Sequence, residues 1–338
     1  MGKAGDRNIS GLYIVKGGEN ILKQQCYGVE IELTGITRKQ AAEVLAELFG
    51  TTSQYTGGIY DAYTVKDQEG KEWKLMSDAS IRPQKKEGKN LTTGTNYHRV
   101  EMVTPKLTYE EIDKLQNAVR CIRRAGGIVN DSCGLHVHID GANHTQKSLK
   151  NLLSIMYAKE DILFRALQVN EQRAERWCQK VREPMLQQAR QLASSETANL
   201  TRLEEIWYDG ITASNRTSRQ HYHPTRYHAL NLHSMFYRGT VEFRMFNSTL
   251  HAGEVRAYVT LCLAMSAQAI AQRGTVLKKT QSDNEKFTFR TWLIRLGLNG
   301  EEFKAVRRHL LKNLEGDPSW RYAKSSYACN QRPRSMER

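Results

Sequence analysis

The chain contains no run of eighteen or more apolar residues, so no transmembrane helix is expected. Its first ten residues, Met1 to Ser10, are polar and carry no hydrophobic signal segment. Six cysteines (Cys26, Cys121, Cys133, Cys178, Cys262 and Cys329) include no CxxC pair. That argues against a disulfide scaffold or a cysteine zinc site, and the expected location is a reducing cytoplasm. The common nucleotide and hydrolase signatures are missing too. There is no GxxxxGK[ST], no strand followed by GxGxxG, no GxSxG and no HExxH. A nucleotide would have to bind without a P-loop or a dinucleotide fingerprint. No internal repeat is evident.

What is present is enough for a core. Of 338 residues, 39% are hydrophobic and 25% are charged, which excludes wholesale disorder. The length suggests about two domains, or one with an extension. Lys and Arg number 50 against 36 Asp and Glu, a net charge of +14. Such a surface attracts polyanions. Nucleic acid and an anionic small substrate both fit that charge.

Periodicity organises the chain. Cys26 to Thr34 (CYGVEIELT) alternates apolar Val29, Ile31 and Leu33 with Glu30 and Glu32, the period of a strand. Thr37 and Gln40 form a capping-box pattern before a helix that ends at Gly50. Gly57-Gly58 marks a turn, and Glu72 to Met76 reads as a strand. Ile81 to Asn96 reads as a basic loop, with Arg82 to Lys89 as a candidate lid. Tyr97 to Thr104 reads as a strand that stops before Pro105. Thr108 and Glu111 cap a helix closed by Gly126-Gly127. Gly134 to Asp140 (GLHVHID) is a strand, and a long helix covers about Thr145 to Leu167. Residues 168–220 are polar and read as helices with loops. Two further strands are expected at Tyr227 to Leu232 and Thr240 to Phe246. An apolar helix follows from Gly253 to Gln272, and two helices between Phe287 and Leu314.

The polar positions of these strands are unusual. They hold Glu30, Glu32, Glu101, His136, His138, Glu242 and Arg244, with few Ser, Thr or Lys. A merely solvated face carries mixed polar residues. This composition points to a site lining a sheet. Side chains two apart on a strand share a face, so Glu30 and Glu32 can share a cation, and hard oxygen donors suit Mg²⁺ or Mn²⁺. His136 and His138 can meet metal or phosphate. Glu101 lies among Val100, Met102 and Val103, where a lone acid is costly unless paired or metal-bound. Asp78 closes a strand as a ligand, a base or a turn residue. Glu242 and Arg244 form an ion pair, or set a metal ligand beside a phosphate clamp. Arg226, Tyr227 and Asn231 add a donor-rich patch. Arg173 reads by default as a surface arginine.

The order of these motifs is specific. YGVEIEL, Asp78-x-Ser80, VEMVTP, CGLHVHID, RYHALNL and TVEFRMFNSTL together resemble the amidoligase family, which is similar to carboxylate–amine ligases of the glutamine synthetase and glutamate–cysteine ligase type. The resemblance covers about Cys26 to Gln272. It implies an α+β fold, a curved and mainly antiparallel sheet with helices on its outer face, binding ATP and Mg²⁺ or Mn²⁺. It implies Glu30, Glu32, Glu101, His136 and Glu242 as metal ligands, and Arg244, His136, Arg226 and Asn231 as nucleotide contacts, with Arg173 a weaker carry-over. Arg244, Asp78 and His138 are the implied catalytic groups. The implied reaction joins a carboxylate and an amine through an acyl phosphate, the substrates being small molecules, peptides or proteins. The expected organisation is an N-terminal extension (1–25), a catalytic domain (26–272), a helical extension (273–316) and a basic tail (317–338). Two rivals use the same residues: a metal-dependent hydrolase or nuclease, and a non-catalytic binding protein.

Overall fold

The computed structural model describes residues 18–192, 199–208, 220–274 and 278–321. The start of the expected N-terminal extension and the tail from residue 322 lie outside them, as do parts of the polar middle region.

Helix α1 (Gly18–Gln24) leads into β1 (Tyr27–Leu33) and α2 (Arg38–Phe49). Strands β2 (Ser53–Gly57), β3 (Ala62–Lys66) and β4 (Glu72–Met76) follow, then β5 (Gln84–Glu87), β6 (Asn90–Thr93) and β7 (Val100–Val103). Next come α3 (Ile112–Arg124), β8 (Gly134–Asp140), α4 (Gln146–Leu167), α5 (Glu171–Arg176), α6 (Glu183–Gln191) and α7 (Thr201–Trp207). The chain continues through β9 (Leu230–Asn231), α8 (His233–Arg238), β10 (Thr240–Asn247), α9 (Ala252–Ala271), α10 (Glu285–Arg295) and α11 (Lys304–Leu311). The fold is α+β. Eight strands form one sheet in the order β2-β3-β4-β7-β1-β8-β10-β9, and every strand pairing in it is antiparallel.

Strand alternation divides the sheet into two unlike faces. Val29, Ile31, Leu33, Leu135, Val137, Ile139, Val241 and Phe243 are all buried in the core. Helices α2, α3, α4 and α9 pack around that core, α9 against α4, α3, β8 and β1. Helices α1 and α11 pack on α9 in turn, so both ends of the described chain share the same core. Two aromatic contacts help fix this layer: Phe49 of α2 lies 5.2 Å from Trp73 of β4, and Phe246 stacks on Tyr258 of α9 at 4.4 Å. The opposite face carries the charged residues.

The expected helix starts hold. Thr37 accepts from the Gln40 amide, and the Gln40 side chain accepts from the Thr37 amide at 2.8 Å. Thr145 caps α4 in the same way through Ser148. Three expectations need correction. The basic stretch is a separate hairpin, β5–β6, turned at Gly88-Lys89 with Gly88 at φ 63°. Its two faces are equally polar, so no alternation announces it. Strand β9 spans only Leu230–Asn231, because the chain enters α8 immediately afterwards. The strand expected over Tyr97 to Thr104 is confined to Val100–Val103, since Asn96–His98 form a 3-10 turn; the expected turn at Gly57-Gly58 holds and joins β2 to β3, and β2 is so exposed that it carries no apolar pattern.

One buried guanidinium fixes how this β2–β3 wing sits. Arg38, at the start of α2, donates to the carbonyl oxygens of Asp61 (2.9 Å), Asn96 (2.7 Å) and Arg99 (2.9 Å). It also pairs with the Asp61 carboxylate. Arg38→Ala leaves those acceptors unmatched. It is expected to lower the unfolding free energy by about 2–4 kcal/mol, read by urea denaturation; a loss under about 1 kcal/mol would deny the clamp a role in stability.

Candidate active site

Register decides which polar residues meet. Glu32 of β1 lies opposite Glu101 of β7, and Glu30 lies opposite His136 of β8. His138 faces Glu242 of β10, and Glu242 faces Asn231 of β9. Each side chain therefore projects from the same face, on four adjacent central strands and the edge strand beside them. Glu32, Glu101, His136, Glu242 and Arg244 are buried, and Glu30 and His138 nearly so.

The contacts are dense. His136 Nδ1 lies 3.1 Å from Glu30 Oε2 and 3.8 Å from Glu242 Oε1. His138 Nε2 lies 3.4 Å from Glu30 Oε1, while its Nδ1 meets Thr240 Oγ1 at 3.1 Å. Arg244 pairs with Glu242, whose other oxygen accepts from Asn231 Nδ2 at 2.6 Å. The Gly134 amide donates to Glu32 at 2.6 Å. Two triads have ligand atoms within 4.8 Å of one another: Glu30, His136 and Glu242, and Glu32, Glu101 and His136. All five residues expected to bind metal fall into these two triads, which share His136.

Electrostatics sort the groups. Burial pushes Glu32 up to about 7, with Asp78 adding repulsion and Arg173 opposing it. Burial, then the charges of Glu30 and Glu32, raise Glu101 well above the usual carboxylate range. Burial would also raise Glu242, but Arg244 and the two imidazoles hold it down at about 2. The imidazoles split. Burial, reinforced by Arg244, lowers His136 to about 4, whereas Glu30 and Glu242 outweigh burial and raise His138. Among the described residues, three buried nitrogens on this face find no hydrogen-bond partner: His138 Nε2, Arg173 Nε and Arg244 Nε. Orphaned donors and crowded acids side by side are the marks of a face built for a charged ligand.

The face opens into a cleft of about 1070 Å³ lined by Glu30, Glu101, His138, Asn231 and Glu242, with Asp78 and Arg226 at its walls. A smaller cavity of about 200 Å³ is lined by Glu32, His136, Arg173, Arg226 and Arg244. Every expected site residue therefore lines one or both cavities. Asp78 bears out its turn reading, its Oδ1 accepting from the Ser80 amide at 2.6 Å, and it also lines both cavities. Arg226 sits over the rings of Tyr222 and Tyr227 at 5.3 and 5.8 Å.

Arg173 corrects the surface reading. It is buried, and its guanidinium lies on Gly134; a Cβ there would come 2.4 Å from a guanidinium nitrogen. Its guanidinium donates to the Phe246 carbonyl at 3.5 Å. The candidate lid is also corrected. No residue of 82–93 lines either cavity, and Arg82 pairs instead with Asp131.

Several lining residues escaped the sequence reading. Arg238, at the end of α8, reaches to 3.8 Å from Glu30. Tyr60 of the β2–β3 turn and Tyr222 join their hydroxyls at 2.8 Å, and both line the cleft. His221 stacks with Tyr237. These residues come from turns and segment ends, where no period exists; the only local signal was the Arg238-Gly239 step before β10.

A family model described as "Putative amidoligase enzyme" matches residues 23–266. No curated protein matches the chain. Among solved structures, the chain is similar to a bifunctional glutathione synthetase from Pasteurella multocida, at 10% identity and a TM-score of 0.37. The match covers 89% of this chain and 49% of that one, so the chain spans about half its length.

The crowding predicts an unusual pH response. Glu32 holds its proton more tightly folded than unfolded. Its contribution to stability is full below about pH 4.5 and is lost as pH rises through about 7. By that shift the metal-free protein loses on the order of 3 kcal/mol across the interval. Glu32→Gln is expected to flatten this loss in denaturation curves taken across the range, and Glu101→Gln to raise the melting temperature at pH 7.5. Lower stability of both variants at pH 7.5 would mean that these acids hold the fold together.

Proposed function

The chain belongs to the amidoligase family, and from that premise we propose that it is an ATP-dependent carboxylate–amine ligase acting through an acyl phosphate. The observation that carries this reading is the pair of carboxylate–imidazole triads on one sheet face, with two buried guanidiniums set among them. Carboxylates that hold protons for want of a cation, beside arginines that lack full sets of acceptors, suit a ligand made of polyphosphate and metal together. The donor set fits the group. Four carboxylates and one imidazole favour a hard divalent cation, Mg²⁺ or Mn²⁺.

In the first step an oxygen of the substrate carboxylate attacks the γ-phosphorus of ATP. The bond to the ADP oxygen breaks, leaving an acyl phosphate and ADP. In the second step the amine nitrogen attacks the acyl carbon, phosphate leaves, and the amine gives up a proton. The divalent cations, when bound, neutralise the phosphates so that an anionic nucleophile can approach. The residues supply the rest. Arg244 and Arg173 stabilise charge on the transferring group, as phosphoryl transfer depends on positioning and electrostatics more than on covalent help. Arg226 and Asn231 are contacts for the same polyanion. His138, whose protonated form Glu30 and Glu242 favour, is a candidate donor to a phosphate oxygen. Asp78, at the cleft wall, is the candidate acceptor of the amine proton. A cleft of about 1070 Å³ is large for one small ligand and has room for a nucleotide and a second substrate.

Titration calorimetry tests this without knowledge of the substrates. ATP with Mg²⁺ is expected to bind the wild type, and a chelator to abolish the heat. Glu30→Gln and Arg244→Gln are expected to weaken binding by at least about tenfold, a loss of 1.4 kcal/mol or more. A folded wild type that binds no ATP yet cleaves nucleic acid or amides with Mn²⁺ would replace the ligase by the metal-dependent hydrolase.

A further inference from the structure

A separate group of ligating side chains lies in the helical layer behind the sheet, where α11 packs on α9. His251, Glu254 and His309 each bring one ligand atom within 4.8 Å of the others. None of the three lines a cavity of the charged face. His309 also lies beyond residues 23–266, which the family model matches.

The fold brings these groups together from two helices. His251 is the N-cap of α9, and Glu254 lies in its first turn. Val306, Leu310 and Leu311 of α11 are buried, and that packing sets His309 against the start of α9. The two imidazoles meet with ring centroids 5.0 Å apart, tilted by 59°. Gly253 makes the space. A Cβ there would come 2.6 Å from His309 Nε2 and 3.1 Å from His251 Cε1, so a side chain would push both rings aside. Among the described residues, neither ring nitrogen of His309 has a hydrogen-bond partner. Glu254 already anchors a cation: Lys312 pairs with one of its oxygens, and Thr249 Oγ1 donates to the other at 2.7 Å. Positive charge is thus held here despite the positive end of the α9 dipole. His251 Nδ1 accepts from the Glu254 amide at 3.3 Å, but that amide also reaches the His251 carbonyl at 2.9 Å. The imidazole can be drawn off without orphaning the amide.

We propose that His251, Glu254 and His309 form a zinc site that fastens α11 to the start of α9. Two imidazoles and one carboxylate are a borderline donor set that suits Zn²⁺, unlike the carboxylate-rich set of the sheet face. The metal takes the place of the Lys312 ammonium on Glu254. Water fills the remaining position, on the side where His251 is exposed. The assignment does not depend on the ligase reading.

The experiment strips the full chain with a chelator and titrates it with Zn²⁺ in excess Mg²⁺, by calorimetry and by melting curves. Zinc is expected to bind and to raise the melting temperature. The sheet face also offers ligands to zinc, so the variants separate the two places. His309→Ala is expected to weaken one equivalent of zinc by at least about tenfold and to remove its share of the thermal shift, whereas His136→Ala leaves that equivalent in place. Lys312→Met is expected to tighten it, because the competing ammonium is gone. Gly253→Ala, a better helix former that displaces the His309 ring, is expected to weaken it too, and carries the test if His309→Ala melts abnormally without metal. Zinc binding unchanged in both His309→Ala and Gly253→Ala would overturn the site, as would loss of all zinc binding in a normally melting His136→Ala. Failure of the wild type to bind zinc would overturn it and leave the ligase reading standing.

Discussion

Acids and imidazoles packed on adjacent strands of one sheet cannot all carry charge where little water reaches them, and that constraint shapes the site. Strand alternation delivers them to one face, and antiparallel register sets Glu32 against Glu101 and Glu30 against His136. Low local dielectric then makes each repulsion expensive. The protein relieves part of it internally: Glu242 is neutralised by Arg244, Glu30 is held ionised chiefly by His138, and His136 stays neutral. Glu32 and Glu101 find too little such relief, from Arg173, Arg244 and the Gly134 amide, to offset their burial. The face is thus stabilised incompletely, and the helical layer behind it supplies the deficit through a core that runs from Leu22 to Leu314.

That core has a second consequence. The site draws on strands far apart in sequence, from β1 to β10, and on α5 and α8 between them. Gly134 lets the α5 guanidinium of Arg173 lie flat on the end of β8. The extra residue in β10 between Phe243 and Phe246 ends the polar row at Arg244 and sends both Met245 and Phe246 into the core. Arg244 is therefore the last charged group on its strand, and beside it lies the cavity shared with Arg173.

Much of this could be read from the sequence, for physical reasons that also mark where reading fails. Strands β1, β4, β8 and β10 announce themselves because one face is apolar and the other is not. The capping boxes at Thr37 and Thr108 are local chemistry, and local chemistry is visible in a sequence. The carboxylates and imidazoles stood out because a solvated face has no reason to hold so many. Strands β2, β5 and β6 bury little and so carry no pattern. Arg173, Arg238, Tyr60 and Tyr222 become site residues only through tertiary packing. An arginine in a polar helix looks the same in sequence whether it faces solvent or the end of a neighbouring strand.

The tyrosine pair lining the cleft is a tie of a different strength. The Tyr60–Tyr222 hydrogen bond joins the β2–β3 turn to the segment before β9 with both hydroxyls in contact with water. An exposed bond of this kind contributes about 0.5–1.5 kcal/mol, so the joined state outnumbers the parted one by roughly two- to thirteenfold. Loops of this size rearrange in nanoseconds to microseconds. Parting and rejoining of the two rings is therefore frequent, and the bond is a weak, rapidly remade tie between two segments far apart in sequence.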